Sequence, residues 1–114
     1  MFLDYRRIVG YEDYIISNYG IVYSTIKHNG TEWREMKPSF YKNGYKYVNL
    51  YNDGKHKKIT VHVLVGNHFV GKREGEITFD HWPDRTKTNN RADNIRLATK
   101  YRNRKASLSL SRTP

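Results

Sequence analysis

The sequence contains no cysteine in its 114 residues. Disulfide bonds and thiolate zinc sites are therefore excluded, and no structural zinc is expected. A chain without cysteine suits a reducing compartment, and we expect a cytoplasmic protein. No apolar run approaches the ~20 residues of a membrane span, and residues 1–4 lack the basic-then-apolar pattern of a signal peptide. No membrane partner is expected.

Acidic residues are also scarce. There are 11 Asp and Glu against 21 Lys and Arg, which gives a formal net charge of +10. Such a surplus favours a polyanionic partner, with nucleic acid ahead of a membrane surface. Residues 94–114 contain no acid at all, so phosphate binding there would weaken as salt rises. The length indicates one domain.

The first half of the chain predicts antiparallel hairpins. Asn18-Tyr19-Gly20 separates two β-rich runs, and Asn and Gly tolerate the positive φ of a tight turn. Residues 52–54 supply similar turn chemistry for a second hairpin. Residues 25–38 lose this periodicity and are predicted to be an irregular connection. The predicted strands are residues 14–17, 21–24, 44–51 and 59–61.

The second half begins with a helical pattern. Apolar positions and one histidine recur at i, i+3, i+4, i+7 and i+8 between Val61 and Phe69, and Gly71 can end that helix. Residues 77–79 then lead as a strand into Asp80-His81, and residues 95–98 can form the return strand. Thr99 is a suitable N-cap for a helix over residues 100–106. The overall expectation is an α+β fold.

Asp80-His81 is the pair that carries chemistry. A carboxylate offers a hard oxygen ligand, and the histidine beside it offers a base that titrates near neutral pH. If the last predicted helix packs across the strand pair, the amide oxygen of Asn103 can share a divalent cation with Asp80. Mg²⁺ suits two oxygen ligands because it retains waters and accepts phosphate oxygens in its remaining positions. Asn94 is the further polar candidate.

Several segments together resemble a known family. The chain is similar to the HNH endonucleases of the ββα-metal (His-Me finger) group, especially the phage homing endonucleases with an N-terminal nuclease-associated DNA-binding module. The resemblance extends from Ile8 to about Ala106. The segments that carry it are residues 8–14, 17–24, 44–48, 61–65, 68–69, 80–81, 89–91 and 94–96, with Asn103.

The resemblance implies a mechanism. His81 becomes the general base, Asp80 and Asn103 become ligands of Mg²⁺, with Mn²⁺ as an alternative, and Asn94 holds the loop that orients His81. The implied function is hydrolysis of double-stranded DNA, by a nick or a double-strand break, to 5′-phosphate and 3′-hydroxyl ends in a phage-infected or bacterial cell. Residues 82–85 make the loop after the histidine one residue longer than the family's usual turn.

The resemblance also implies an organisation. Residues 1–60 are expected to form a β-rich DNA-binding module, and residues 61–106 a helix plus the nuclease motif at 77–106. Residues 107–114 form a tail, and the whole is expected to be one compact unit. Because larger relatives continue into a further DNA-reading domain, a short footprint or a homodimer is expected. The predicted DNA-binding residues are Lys46, Lys55, Lys57, Lys58, Arg85, Lys87, Arg91, Arg96 and Arg102.

Other interpretations of these residues stay open. The chain can instead be a non-catalytic DNA- or RNA-binding module that keeps the nuclease scaffold. Asn89 and Asn90 are expected to shape their loop rather than bind metal. His62 and His68 lie on or beside the apolar helix face, where a packed histidine is commoner than a ligand, although His62 can lie near the metal.

Overall fold

The computed structural model describes residues 1–26 and 33–99. The predicted helix over residues 100–106, the tail over residues 107–114, and the two predicted site residues Arg102 and Asn103 lie outside these ranges.

The first sheet has four antiparallel strands, which follow one another in the order β1 (Tyr5–Ile8), β2 (Tyr11–Ser17), β3 (Val22–Ser24) and β4 (Arg34–Glu35). The predicted first hairpin is confirmed: β2 pairs with β3 so that Ile15 faces Tyr23. The connection predicted to be irregular contains the short strand β4, and β1 was not predicted either. Both are short and largely exposed, so neither shows the apolar alternation that reveals a strand.

The second sheet has three strands, in the order β5 (Ser39–Phe40), β6 (Lys46–Asn52) and β7 (Lys55–Thr60). It contains the second predicted hairpin. Its turn is Asp53-Gly54, with φ values of 51° and 76° that suit the tight turn joining twisted strands. Val48 and Leu50 are buried, so this face of β6 joins the core.

The predicted helix follows directly on β7. It consists of α1 (Val61–Val65) and a wider π-helical turn over Gly66–Val70. A Cβ built on Gly66 would lie 2.5 Å from the Phe79 ring, so glycine lets the helix approach the next strand closely. This contact packs the helix against the strand pair that follows.

That strand pair forms the third sheet. Strand β8 (Ile77–His81) is antiparallel to β9 (Ile95–Thr99), as predicted, with Phe79 facing Leu97. The loop over residues 82–94, here called the β8–β9 loop, ends in a 3-10 turn over Ala92–Asn94. Thr99, predicted as a helix cap, is the last residue of β9.

One hydrophobic cluster joins all three sheets and the helix. It includes Ile16 from the first sheet, Leu50 from the second, Val65 from α1, and Phe79 and Ile95 from the third. The predicted α+β class is confirmed. Within residues 1–26 and 33–99, no helix has the length and apolarity needed to cross a bilayer.

Candidate active site

Asp80 and His81 lie at the end of β8 and are both buried, with 4% and 3% of their surface exposed. Neighbouring side chains of a strand point to opposite faces, so the carboxylate and the imidazole have different surroundings. Burial of two polar groups is costly unless each has a hydrogen-bonding partner. Both have partners on the described part of the chain.

Asp80 is held by two arginines. Arg85 donates from Nη1 to both carboxylate oxygens at 2.7 Å, and Arg96 donates from Nη2 to Oδ2 at 3.1 Å. Arg96 faces Asp80 directly in the register of β8 and β9, which explains that contact. Two guanidinium groups around one carboxylate leave a net positive charge at this end of β8.

His81 is oriented by Asn90. The Nε2 atom of His81 lies 2.8 Å from Asn90 Oδ1, and Asn90 is itself buried. Because the amide oxygen can only accept, Nε2 carries the proton and Nδ1 keeps its lone pair. Burial lowers the pKa of His81, while the hydrogen bond with Asn90 opposes this effect. The imidazole is therefore neutral at neutral pH and able to accept a proton at Nδ1.

His62 and Tyr45 form an aromatic stack beside His81. The ring centroids of His62 and His81 are 5.0 Å apart, and Tyr45 stacks on His62 at 4.9 Å. Burial, followed by the neighbouring His81, lowers the pKa of His62 to about 4. From the sequence, His62 could be expected near the site, but Tyr45 was not predicted. No local sequence pattern connects residues 45, 62 and 81.

Asn94 closes the β8–β9 loop. Its Oδ1 accepts from the backbone N–H of Asp84 at 2.8 Å, and its Nδ2 donates to the carbonyl oxygens of Asp84 and Asn89 at 2.8 and 3.1 Å. Through these contacts Asn94 joins Asp84 to Asn89 within the loop, and its part in orienting His81 stays a prediction. The residue that contacts His81 is Asn90, which was expected only to shape the loop. Asn89 and Thr86 donate to Asp84 and lower its pKa to about 2.

The predicted DNA-binding residues within the described ranges differ in exposure and in protein contacts. Lys55, Lys57 and Lys58 are exposed along β7. Others already have protein contacts: Arg85 and Arg96 with Asp80, and Lys87 with the carbonyl oxygen of Asn43 at 2.7 Å. Further contacts are Lys46 over the Phe40 ring, Lys58 over the Tyr47 ring, Lys87 over the Tyr45 ring, Arg96 over the Trp82 ring, and Arg91 with Asp93 and over the Tyr19 ring.

Metal-ligand chemistry in the described residues centres on Asp80. Across residues 1–26 and 33–99, no group of three or more His, Cys, Asp or Glu side chains converges on one point. Asp80 is a hard, buried oxygen donor of the kind that Mg²⁺ prefers, and its oxygens accept from Arg85 and Arg96. Its predicted partner Asn103 lies outside the described residues.

Comparison with known proteins supplies independent information. Residues 4–51 match the NUMOD4 motif. The chain is 39% identical over 98 residues to the DNA endonuclease I-HmuI of Bacillus phage SP01, covering 85% of this chain and 53% of that protein. It is 35% identical over 103 residues to the H-N-H endonuclease F-TflII of Escherichia phage T5, covering 89% of this chain and 50% of that protein.

A solved structure also matches. It is titled "DNA binding and cleavage by the HNH homing endonuclease I-HmuI" and superposes with a TM-score of 0.82 at 36% identity. The match covers 97% of this chain and 61% of the other. The chain thus spans about half the length of the two phage proteins it matches.

Proposed function

We propose that this chain, which is similar to phage HNH homing endonucleases, hydrolyses phosphodiester bonds in double-stranded DNA. The family resemblance drawn from the sequence is confirmed by the NUMOD4 motif and by the two phage relatives. The reaction, its products and its metal form the proposal. The observation that carries it is the orientation of His81 by Asn90.

His81 acts as the general base. A water molecule beside Nδ1 gives its proton to the imidazole, and the water oxygen attacks phosphorus in line with the 3′ oxygen. The bond from phosphorus to that oxygen breaks, and the oxygen takes up a proton from solvent. The cut strand then has a 3′-hydroxyl on one side of the break and a 5′-phosphate on the other. Within residues 1–26 and 33–99, no hydrogen bond occupies Nδ1 of His81.

Asp80 is the proposed ligand of a divalent cation, Mg²⁺ or alternatively Mn²⁺, and the resemblance adds Asn103. When bound, the cation supplies positive charge to the phosphate and to the leaving oxygen. The donor chemistry of Asp80 fits, because the group is a buried carboxylate. Arg85 donates to both of these oxygens, so Asp80 would hold a cation either beside this arginine or in its place.

Strand β7 is the proposed DNA-binding edge. Its exposed Lys55, Lys57 and Lys58 lie on a two-stranded ribbon with β6, and such a ribbon fits the major groove of B-form DNA. These lysines contribute to the formal net charge of +10. Phosphate contacts by such side chains give affinity that decreases as salt increases.

A second candidate function has one observation in its favour. The two arginines on Asp80 neutralise the carboxylate that hydrolysis needs, as expected of a scaffold that binds DNA or RNA without cutting it. Cleavage distinguishes the two candidates. Binding competition between duplex DNA and RNA at fixed salt then identifies the nucleic acid.

The test is cleavage of supercoiled plasmid by the purified chain with Mg²⁺. We expect nicked or linear products from the wild type and none from His81→Ala, which should bind DNA as tightly as the wild type in fluorescence anisotropy. His68→Gln is the matched control, because His68 contacts Leu64 and Val9 rather than the site. Equal cleavage by wild type and His81→Ala would remove His81 from the mechanism.

A further inference from the structure

The first hairpin of the NUMOD4 segment touches the β8–β9 loop. Its turn, Asn18-Tyr19-Gly20, is here called the 18–20 turn. The carbonyl oxygen of Asn18 accepts the backbone N–H of Ala92 at 2.8 Å. A Cβ built on Gly20 would lie 2.9 Å from both the Cβ and the carbonyl oxygen of Asn90. The turn therefore meets the loop at the residue that binds His81.

Glycine is required at position 20 for two reasons. Its φ of +84° is a backbone conformation that other residues rarely adopt. Its missing side chain also leaves the space that Asn90 occupies. A methyl group there would force either the turn or Asn90 to move, because real Cβ contacts do not reach such distances.

The turn is the less yielding of the two partners. Asn18 is buried, and its side chain accepts from the Asp4 N–H at 2.9 Å and donates to the Phe2 carbonyl oxygen at 2.6 Å. Ser17 Oγ accepts from the backbone N–H groups of Tyr19 and Ile21 at 3.2 and 3.1 Å. These bonds fix the turn from both sides, so a clash at Gly20 would displace Asn90.

Displacement of Asn90 acts on His81. Their hydrogen bond of 2.8 Å has only a few tenths of an ångström before it leaves the usual range for N–H···O bonds, which ends at about 3.2 Å. Misplacement of a reacting group by about 1 Å can cost a rate factor of about 100.

We propose that the 18–20 turn of the NUMOD4 segment is a positioning element for His81, acting by contact with Asn90. The inference rests on the proposed function and adds to it: this segment supports the chemistry as well as any DNA contact that it makes. Gly20 is the positioning residue, and Asn18 secures the loop through Ala92.

Gly10→Ala provides a matched control for Gly20→Ala. Gly10 has φ +85°, lies in the neighbouring β1–β2 turn, and has no atom within 4 Å of a built Cβ. Both variants therefore place a side chain on a residue with nearly the same positive φ, and only the added methyl group of Gly20→Ala would collide with Asn90. We expect Gly20→Ala to cut DNA about 10-fold to 100-fold more slowly in single turnover, with its dissociation constant for DNA changed less than about twofold. Gly10→Ala should change neither quantity by more than about twofold.

A double-mutant cycle tests the route through Asn90. In an Asn90→Ala background, Gly20→Ala should cause little further loss of rate, because the contact that it disturbs no longer reaches His81. A loss that multiplies in full with that of Asn90→Ala would overturn the inference.

The nitrogen resonances of the His81 side chain provide a readout that needs no cleavage. We expect the Nε2 resonance to shift in Gly20→Ala and to stay in place in Gly10→Ala. Resonances that are alike in the two variants would overturn the inference, even if the wild type cleaves DNA. Absence of cleavage by the wild type would overturn the proposed function. The resonances would still show whether the contact between the 18–20 turn and Asn90 positions His81.

Ala92→Pro tests the same route if Gly20→Ala does not fold. Arg91 has φ −66° and ψ 144°, the extended conformation that suits a residue before proline, and position 92 is the first of the 3-10 turn. Proline there removes the N–H that Asn18 accepts. A shifted Nε2 resonance of His81 would support the inference, and an unshifted one would overturn it.

Discussion

Arg96 lies directly across from Asp80 in the register of β8 and β9, and its Nη2 atom approaches Asp80 Oδ2 to 3.1 Å. Arg85 binds the same carboxylate from the β8–β9 loop at 2.7 Å. The proposed metal ligand is thus already paired with two cations of the protein. A divalent cation at Asp80 would therefore compete with these arginines for the carboxylate.

The first prediction concerns that competition. Arg85→Gln removes a positive charge from both oxygens of Asp80, so Mn²⁺ should bind about 10-fold more tightly, which corresponds to about 1.4 kcal/mol. Electron paramagnetic resonance of free Mn²⁺ measures the affinity. Arg91→Gln is the control, because Arg91 pairs with the exposed Asp93. An unchanged affinity in Arg85→Gln would show that the arginine does not obstruct the cation.

The second prediction concerns the pH dependence of cleavage. A general base works when unprotonated, so the rate should rise with pH through the pKa of His81 and then level off. Because burial lowers that pKa, the midpoint should lie below the ordinary histidine value of 6.5. The hydrogen bond with Asn90 raises the pKa, so Asn90→Ala should cleave more slowly and move the midpoint to still lower pH. Single-turnover rates from pH 4.5 to 8 test this, and a midpoint above 6.5 would contradict it.

The third prediction concerns stability in acid. The pKa of His62 falls from 6.5 to about 4 on folding, so the unfolded chain binds the extra proton first as pH falls. Stability from the neutral ring is complete above pH 6.5 and is lost progressively down to about pH 4. His62→Phe should reduce the decrease in Tm between pH 7 and pH 4.5 by roughly 10 °C, as expected for about 2–3 kcal/mol. An unaltered decrease would argue against a neutral, half-buried His62 in the folded chain.

The fourth prediction concerns Asn94. Asn94→Ala removes three partly buried hydrogen bonds that hold the backbone of Asp84 and Asn89. The loss of stability should be about 1–3 kcal/mol, measured by urea unfolding. Asn94→Asp keeps the acceptor for the Asp84 N–H and should fall between the wild type and Asn94→Ala. A variant as stable as the wild type would show that the loop holds its shape without this side chain.

The fifth prediction concerns the exposed edge of β7. If Lys55 and Lys57 each contact a phosphate, the double alanine variant should reduce the slope of log affinity against log salt by about 2. Fluorescence anisotropy with duplex DNA at several salt concentrations measures the slope. Lys42→Ala with Lys72→Ala removes the same charge from outside the hairpin and should leave the slope nearly unchanged. Equal slopes in the two double variants would place the DNA elsewhere.

Local patterns predicted the elements that have strong local signals. The turn residues Asn18-Tyr19-Gly20 and Asp53-Gly54 marked both hairpins, and apolar spacing from Val61 marked the helix. Strands β1 and β4 were not predicted, because they are short and largely exposed and so lack an apolar pattern. Pairing with a neighbouring strand defines them more than their own side chains do. The π-helical widening at Gly66 has no sequence signature of its own, since it depends on packing against Phe79.

The sequence by itself shows that Asp80 and His81 are adjacent, and the predicted strands and helix indicate the α+β class. Several segments together carry the resemblance to phage HNH endonucleases, and the net charge of +10 favours a nucleic-acid partner. Only the folded structure placed Arg96 and Arg85 on the carboxylate, Asn90 on the imidazole, His62 beside it, and Gly20 against Asn90. Periodicity and turn chemistry act over a few residues, so the sequence reveals them directly. Contacts between distant segments depend on how the three sheets share one core, and packing alone selects which polar side chains meet there.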